Sequence, residues 1–314
     1  MIVETSGLRK VYGSTAVLDG IDLAVREGEV VALLGPNGAG KTTTIRVLST
    51  LTRPDGGSAR VAGFDVVREP DRVRAAISLT GQYAAVDAEQ TGRENLVMVA
   101  RLMHLGRRGA ARRADELLDR FDLVDAGSRR VRTYSGGMRR RLDLTMSLVA
   151  APRVIFLDEP TTGLDPASRT TMWDAITELV RGGTTILLTT QYLEEADRLA
   201  DRIVLIDRGH VAASGTADAL KTQVGGERVV LRFPDPDALS RAAGVFAGCG
   251  AVAVPERLEL DVASDGTAAH LHHLLDELRA AAVPVDRVAS HRPTLDDVFL
   301  ALTARPADRT PVPA

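Results

Sequence analysis

The sequence predicts an α/β domain with a mostly parallel sheet, followed by a small α+β domain of ferredoxin-like, split order. Short unbroken apolar runs, such as Val30-Val31-Ala32-Leu33-Leu34 and Val154-Ile155-Phe156-Leu157, have the pattern of strands covered on both faces. Stretches at helical spacing alternate with these runs, the order that builds a parallel sheet. Beyond Val224-Gly225-Gly226 the order changes to β-α-β-β-α-β.

Residues 2–34 are β-rich and are broken by Gly13, Gly20 and Gly28. A glycine-rich turn at 35–40 precedes a helix over 41–51, and a strand is expected at 57–63. Residues 91–122 read as helices, because Leu96, Val99, Ala100 and Met103 recur at helical spacing. A turn-rich patch at 133–137 opens a helix over 138–150, and the buried strand at 154–157 ends in two acids. A helix over 167–181, a core strand at 185–189, a helix over 192–199 and a strand at 203–206 complete the large domain. In the small domain, strands at 228–233, 250–254, 257–263 and 285–290 alternate with helices at 236–247 and 266–282. A helix over 294–303 ends the ordered chain, and the last residues, with three prolines, are expected to fray.

A chain of 314 residues, 45% hydrophobic and 26% charged, is long enough for a large core and a small one. The net charge of −3 excludes a global basic field of the kind that marks nucleic-acid binders. The run Arg139-Arg140-Arg141 therefore reads as a solvated helix face, like Arg107-Arg108 and Arg112-Arg113. The single cysteine, Cys249, excludes an internal disulfide framework and is expected to be a core thiol; Trp173 is expected to pack on its helix. The six histidines lack metal-ligand spacing. No apolar run approaches the ~18 residues of a membrane span, and the start of the chain lacks a signal-peptide design. The expectation is a cytoplasmic protein that, if it serves a membrane, leaves the spanning to another chain.

Gly35-Pro36-Asn37-Gly38-Ala39-Gly40-Lys41-Thr42 matches G-x-x-x-x-G-K-[ST], after a buried strand and before a helix. Glycines let backbone N–H groups turn inward around an anion, and the helix amino terminus adds a positive dipole end. Only three of the 39 basic residues are lysines, so a lysine at position 41 stands out against the arginine bias. Lys41 suits the β- and γ-phosphates of a nucleotide, and the Thr42 hydroxyl suits Mg²⁺. Asp158 and Glu159, at the end of a neighbouring strand, supply the complementary acids: Asp158 to hold Mg²⁺ through water, Glu159 as general base.

With these residues in place, residues 1–220 resemble the ATP-binding subunit of an ABC transporter. The deciding stretch is Tyr134-Ser135-Gly136-Gly137-Met138, about twenty residues upstream of Asp158, which resembles the family's signature Leu-Ser-Gly-Gly-Gln. The resemblance implies a P-loop NTPase ABC cassette over 1–222, with a helical subdomain at about 84–150, then the small domain over 227–303 and a disordered tail over 304–314. It implies that Tyr12 stacks on adenine, that Gly35 to Thr42 and Thr43 hold the phosphates, and that Gln82 senses Mg²⁺ and meets the membrane subunit. Gly163-Leu164-Asp165 resembles the loop that crosses between paired ATPases. Gln191 stands where the family has a histidine on the γ-phosphate. A glutamine donates a hydrogen bond but never becomes cationic, so slower ATP hydrolysis is expected. The stretches 134–142 and 187–197, and the ending Arg292-Pro293-Thr294-Leu295-Asp296-Asp297-Val298-Phe299-Leu300, resemble the daunorubicin-resistance type, which serves drug and antibiotic export.

The resemblance further implies a nucleotide site shared between two subunits. The cradle of one holds Mg-ATP, and Ser135-Gly136-Gly137 of the other, a second helix amino terminus, covers the γ-phosphate. A closed pair then needs a second copy or a paralogue, together with a separate transmembrane permease that handles a small-molecule substrate, and it sits on the cytoplasmic face of the cell membrane. Two other readings stay open: a soluble ABC ATPase acting without a permease, and an ATP-gated binder with little turnover.

Overall fold

Along β1 (Val3–Tyr12) and β2 (Thr15–Val25), residues such as Val3, Leu8, Leu18, Ile21, Leu23 and Val25 are buried while many of their neighbours stay exposed, the pattern of strands with one wet face. The computed structural model, which describes residues 1–81 and 85–303, divides the chain into a unit over Met1–Ala217 and a second from Asp218 onward. In the first unit β3 (Val30–Leu34) differs from β1 and β2: all five residues are buried. It runs through the glycine turn into α1 (Lys41–Leu48). Two short strands, β4 (Gly56–Val61) and β5 (Phe64–Asp65), return to β1 and complete an antiparallel sheet of order β2-β1-β4-β5.

The chain then runs through α2 (Pro70–Ala76) into β6 (Ile77–Thr80). Three helices follow. α3 (Gly92–Leu102) opens on a capping box of Thr91 and Glu94, and α4 (Gly106–Arg120) packs Ala110, Ala114, Leu117 and Leu118 inward at helical spacing. α5 (Gly136–Ser147) starts at Gly136, earlier than the expected residue 138, because the Ser135 hydroxyl caps it by accepting from Met138 N–H. α3 packs against both α4 and α5.

The fully buried strand β7 (Val154–Asp158) leads to α6 (Pro166–Arg181), capped by Asp165 with proline in its first turn. β8 (Thr185–Thr190), again buried throughout, α7 (Leu193–Leu199), β9 (Arg202–Asp207) and the edge strand β10 (His210–Gly215) finish the unit. The second sheet has the order β10-β9-β3-β8-β7-β6, parallel except for β10. Parallel pairing brings the carboxyl ends of β3, β7 and β8 to one edge, where open α/β sheets bind ligands.

The second unit has its own topology. After α8 (Ala217–Val224) come β11 (Glu227–Arg232), α9 (Pro236–Val245), β12 (Val252–Val254), β13 (Glu259–Ser264), α10 (Ala268–Ala280), β14 (Arg287–His291) and α11 (Leu295–Thr303). The strands form an antiparallel sheet of order β12-β13-β11-β14, the split βαβ arrangement expected from the element order. Phe233, Phe246, Leu260, Leu274 and Leu278 are among its core residues. Cys249 is not. It is exposed, in the loop between α9 and β12 with a glycine on each side, so the expected core thiol is corrected. Among the described residues no helix is long and apolar enough to cross a membrane.

Candidate nucleotide site

The turn after β3 leaves no room for side chains at its two ends. A Cβ on Gly35 would lie 2.2 Å from the Ile206 carbonyl oxygen. At Gly40, φ is +113°, and a Cβ would lie 2.7 Å from Leu18 Cδ2 and 2.9 Å from the Val17 carbonyl. Lys41, the first residue of α1, is only 4% exposed, and its Nζ donates to the carbonyls of Gly35 (2.7 Å) and Pro36 (3.1 Å). Burial pushes this ammonium below the usual lysine range, while the charges of Glu159 and Asp158 pull it back up. A cleft of about 200 Å³ opens here, lined by Val17, Asn37, Gly38, Gly40, Lys41, Thr42, Thr43 and Glu159.

The acids come from the end of β7. Asp158 is buried; its Oδ1 accepts from Thr42 Oγ1 (3.0 Å) and from Thr189 Oγ1 (2.6 Å). One carboxylate thus joins α1, β7 and β8, and the pairing of Asp158 with Thr189 across the sheet makes this possible. Glu159 turns into the left-handed region, φ +50°, uncommon for a non-glycine residue. Its N–H donates to the Thr189 carbonyl (3.1 Å), and its Oε2 accepts from Thr162 Oγ1 (3.1 Å). Gln191 follows β8 directly and is exposed.

This donor set fits a magnesium nucleotide. Backbone lies open where no side chain can stand, a buried ammonium has only carbonyl partners, and a hydroxyl and a carboxylate, both hard oxygen donors, lie within hydrogen-bond distance.

The signature stretch is held apart from this cleft. Tyr134 is buried, and its hydroxyl donates to the Ala126 carbonyl (2.7 Å). Ser135 and Gly136 are exposed, and Gly137 lies against α6, where a Cβ would come within 2.5 Å of Ser168 Oγ. Ser135 and Gly137 line a separate hollow of about 150 Å³ with Met138, Ser168 and Met172. None of the signature residues lines the cleft at Lys41. Tyr12, at the end of β1, is 47% exposed with Lys10 Nζ 5.3 Å from its ring centre, and it too is outside that lining. Gln82 lies outside the described residues.

Two features escaped the sequence. Arg139-Arg140-Arg141 is not one solvated face, since consecutive helical residues point in different directions. Arg139 is exposed and donates to the Tyr134 carbonyl, whereas Arg140 is buried and donates to the carbonyls of Gly81, Glu159 and Pro160. The only local signal is Asp143, one helical turn on. Glu195 is also fully buried, and its Oε1 accepts from Thr161 Oγ1 (2.8 Å) and Trp173 Nε1 (3.0 Å), so Trp173 bonds beyond its own helix.

The family model described as ABC transporter matches residues 18–162, and the one described as the C-terminal domain of DrrA1-3-like ATP-binding proteins matches 215–303. The daunorubicin resistance ATP-binding protein DrrA3 of Streptomyces coeruleorubidus is 52% identical over 96% of this chain and 95% of its own length. The chain belongs to this DrrA family of ABC ATPases. A second DrrA relative, the daunorubicin/doxorubicin resistance ATP-binding protein of Streptomyces peucetius, is 51% identical over 98% of this chain and 93% of its own. A solved ATP-binding subunit of an ABC transporter is 30% identical, with a TM-score of 0.63 over 71% of this chain and 93% of that one. The first unit is therefore an ABC ATPase cassette, and the DrrA-like domain follows it.

Proposed function

We propose that this DrrA-family ATPase drives efflux of a drug or antibiotic-like small molecule. Two copies close around Mg-ATP and move a separate transmembrane permease from the cytoplasmic face of the membrane. The observation that carries the reading is the hydrogen-bonded set Thr42–Asp158–Thr189 beside Lys41 and Glu159, all at the carboxyl edge of one parallel sheet.

The backbone N–H groups of the cradle, which Pro36 lacks, and the amino terminus of α1 receive the phosphates, with Tyr12 against the base. Lys41 balances the β- and γ-phosphate charge as a compact cation. Thr42, Asp158 and, by family resemblance, Gln82 would hold Mg²⁺, which would supply positive charge against the phosphates. Glu159, aimed into the cleft, orients a water and takes its proton as the water oxygen bonds to the γ-phosphorus. The bond to the β–γ bridging oxygen breaks, and ADP and phosphate leave. Gln191 donates to the transferring group. Ser135, Gly136 and Gly137 of the second copy supply the other helix amino terminus, and the exposure of Ser135 and Gly136 away from the cleft suits a site completed in trans. Loss of the γ-phosphate removes the charge that both ends hold, so the pair separates.

Phosphate release by the purified chain tests this. Glu159→Gln should lower the rate by about 10²-fold or more while Mg-ATP binding persists. Equal rates for the wild type and the variant would reject the reading in favour of a binder without turnover.

A further inference from the structure

We propose that Arg140 is a positioning residue for Glu159, and that the buried Arg140–Asp143 pair ties Glu159 to both flanks of residues 82–84. The inference rests on the reading of Glu159 given above.

A guanidinium carries five N–H donors in a rigid plane. In Arg140 they converge on backbone from two distant segments. Nε donates to the Pro160 carbonyl (2.8 Å), Nη2 to the Glu159 carbonyl (3.3 Å) and Nη1 to the Gly81 carbonyl (2.6 Å), while Nη1 also lies 3.3 Å from Asp143 Oδ2. The other Asp143 oxygen, Oδ1, accepts from Ala85 N–H (2.9 Å). One ion pair on α5 therefore holds the residue before 82–84, the residue after them, and the carbonyls of Glu159 and Pro160.

Packing does not account for it. An apolar side chain would fill the same space without the desolvation cost of two buried charges, so a buried ion pair is weak evidence for a stabilising role. What the pair does is geometric. Glu159 has a left-handed backbone, φ +50°, which persists in an L-residue only when its surroundings impose it. Its N–H is bound to the Thr189 carbonyl and its C=O to Arg140, so both peptide planes flanking its Cα are fixed. That fixes where the side chain leaves the backbone at the rim of the cleft, which Glu159 lines, and Thr162 Oγ1 then holds the carboxylate itself. Burial raises the Asp143 carboxyl and lowers the Arg140 guanidinium, and their partners offset this only in part, so the pair is held at a desolvation cost rather than as a source of stability.

The test uses the full chain. Arg140→Lys keeps the charge but loses the fork, so one ammonium cannot span the three carbonyls. It should lower kcat for ATP about tenfold or more and leave KM and Mg-ATP affinity within about twofold, because the loss is one of alignment. Added to Glu159→Gln it should cost far less than it does alone, since the part of its effect that runs through that acid is already lost; a merely structural role would lower stability and subtract in full again. Asp143→Asn turns an amide N–H₂ toward the guanidinium and should give the same kcat-only loss, several-fold in size. A folded Arg140→Lys chain with wild-type kcat overturns the proposal, as does a kcat loss matched by an equal loss of affinity. If Arg140→Lys fails to fold, Asp143→Asn decides alone by the same two outcomes. The earlier reading fails separately: it falls if the wild type is no faster than Glu159→Gln, whatever Arg140 does.

Discussion

In the cassette, Lys41, Arg140, Asp143, Asp158 and Glu195 are all buried, whereas every buried side chain described in the second unit is apolar. Taking a charge out of water costs stability unless it is paired and hydrogen-bonded, so a fold that needs only to be stable has no use for such groups. The second unit packs Phe233, Phe246, Leu260 and Leu278 and leaves its ion pairs within reach of water, the half-buried Arg228–Asp261 included. The cassette keeps these five charges inside, near the cradle, the acid turn and the signature helix, and leaves its other pairs, such as Arg93–Asp115, exposed. The contrast teaches where chemistry lives: the buried polar groups outline the machinery, and the DrrA-like unit is built by packing alone.

The sharpest way to break the contrast is to damage each unit in its own currency. Phe233→Ala removes a fully buried ring and should cost the second unit about 3–5 kcal/mol, seen as faster hydrogen exchange along β11 and β13. ATP turnover per folded molecule should stay within about twofold. A collapse of turnover would show that the second unit does more than pack. Lys41→Ala is the reciprocal case. It should lower phosphate release by about 10²–10³-fold, yet change unfolding stability by about 1 kcal/mol or less, because relief from burying the ammonium offsets two carbonyls left without a donor.

The same contrast explains what could be read from the chain. β3, β7 and β8 were legible because a strand covered on both faces is apolar throughout, and the cradle was legible because positions 35 and 40 tolerate only glycine. The split order of the small unit followed from its turns. β10 went unread, since its residues alternate between exposed and half-buried and form no apolar run. Arg140 and Glu195 were illegible for another reason. Each stands beside like residues that are exposed, Arg139 and Glu194, and its burial is decided by partners far away in sequence: Gly81 and Pro160 for one, Thr161 and Trp173 for the other. Cys249 shows the reverse error, a residue type usually buried that its flanking glycines place in a loop.

Glu195 gives a pH-dependent version of the test. Burial holds its carboxyl above the usual range, although Thr161 and Trp173 donate to it and lower it in part. For a group raised in the folded state, the stability it contributes is complete below the unfolded value near 4.5 and is lost as pH rises through the folded value. Glu195→Gln is neutral at every pH and still accepts through its oxygen. The unfolding free energy of the variant should therefore gain on that of the wild type as pH rises from about 4.5 to 8, by an amount on the order of 1 kcal/mol, seen as a rising difference in melting temperature. A constant difference across that range would show that Glu195 is not held in this way.

The smallest expected effect sets two pairs of the same chemistry side by side. Arg140–Asp143 has side chains 7% and 6% exposed; Arg228–Asp261 has side chains 30% and 32% exposed. Arg228 Nε donates to Asp261 Oδ1 at 2.6 Å, and its Nη2 reaches the carbonyls of Gly250 and Asp261. Short geometry alone argues for a strong contact, but water reaches both charges, and exposed pairs are worth about 0–1 kcal/mol. Arg228→Gln should thus shift stability by less than about 1 kcal/mol. Raising the salt from about 0.1 to 1 M should erase most of that shift, since the screening length falls to about 3 Å. Asp143→Asn should show no such salt dependence, because its partner sits beyond the reach of mobile ions. If the Arg228 variant instead loses several kcal/mol independently of salt, the second unit also relies on a dry ion pair, and packing alone no longer accounts for it.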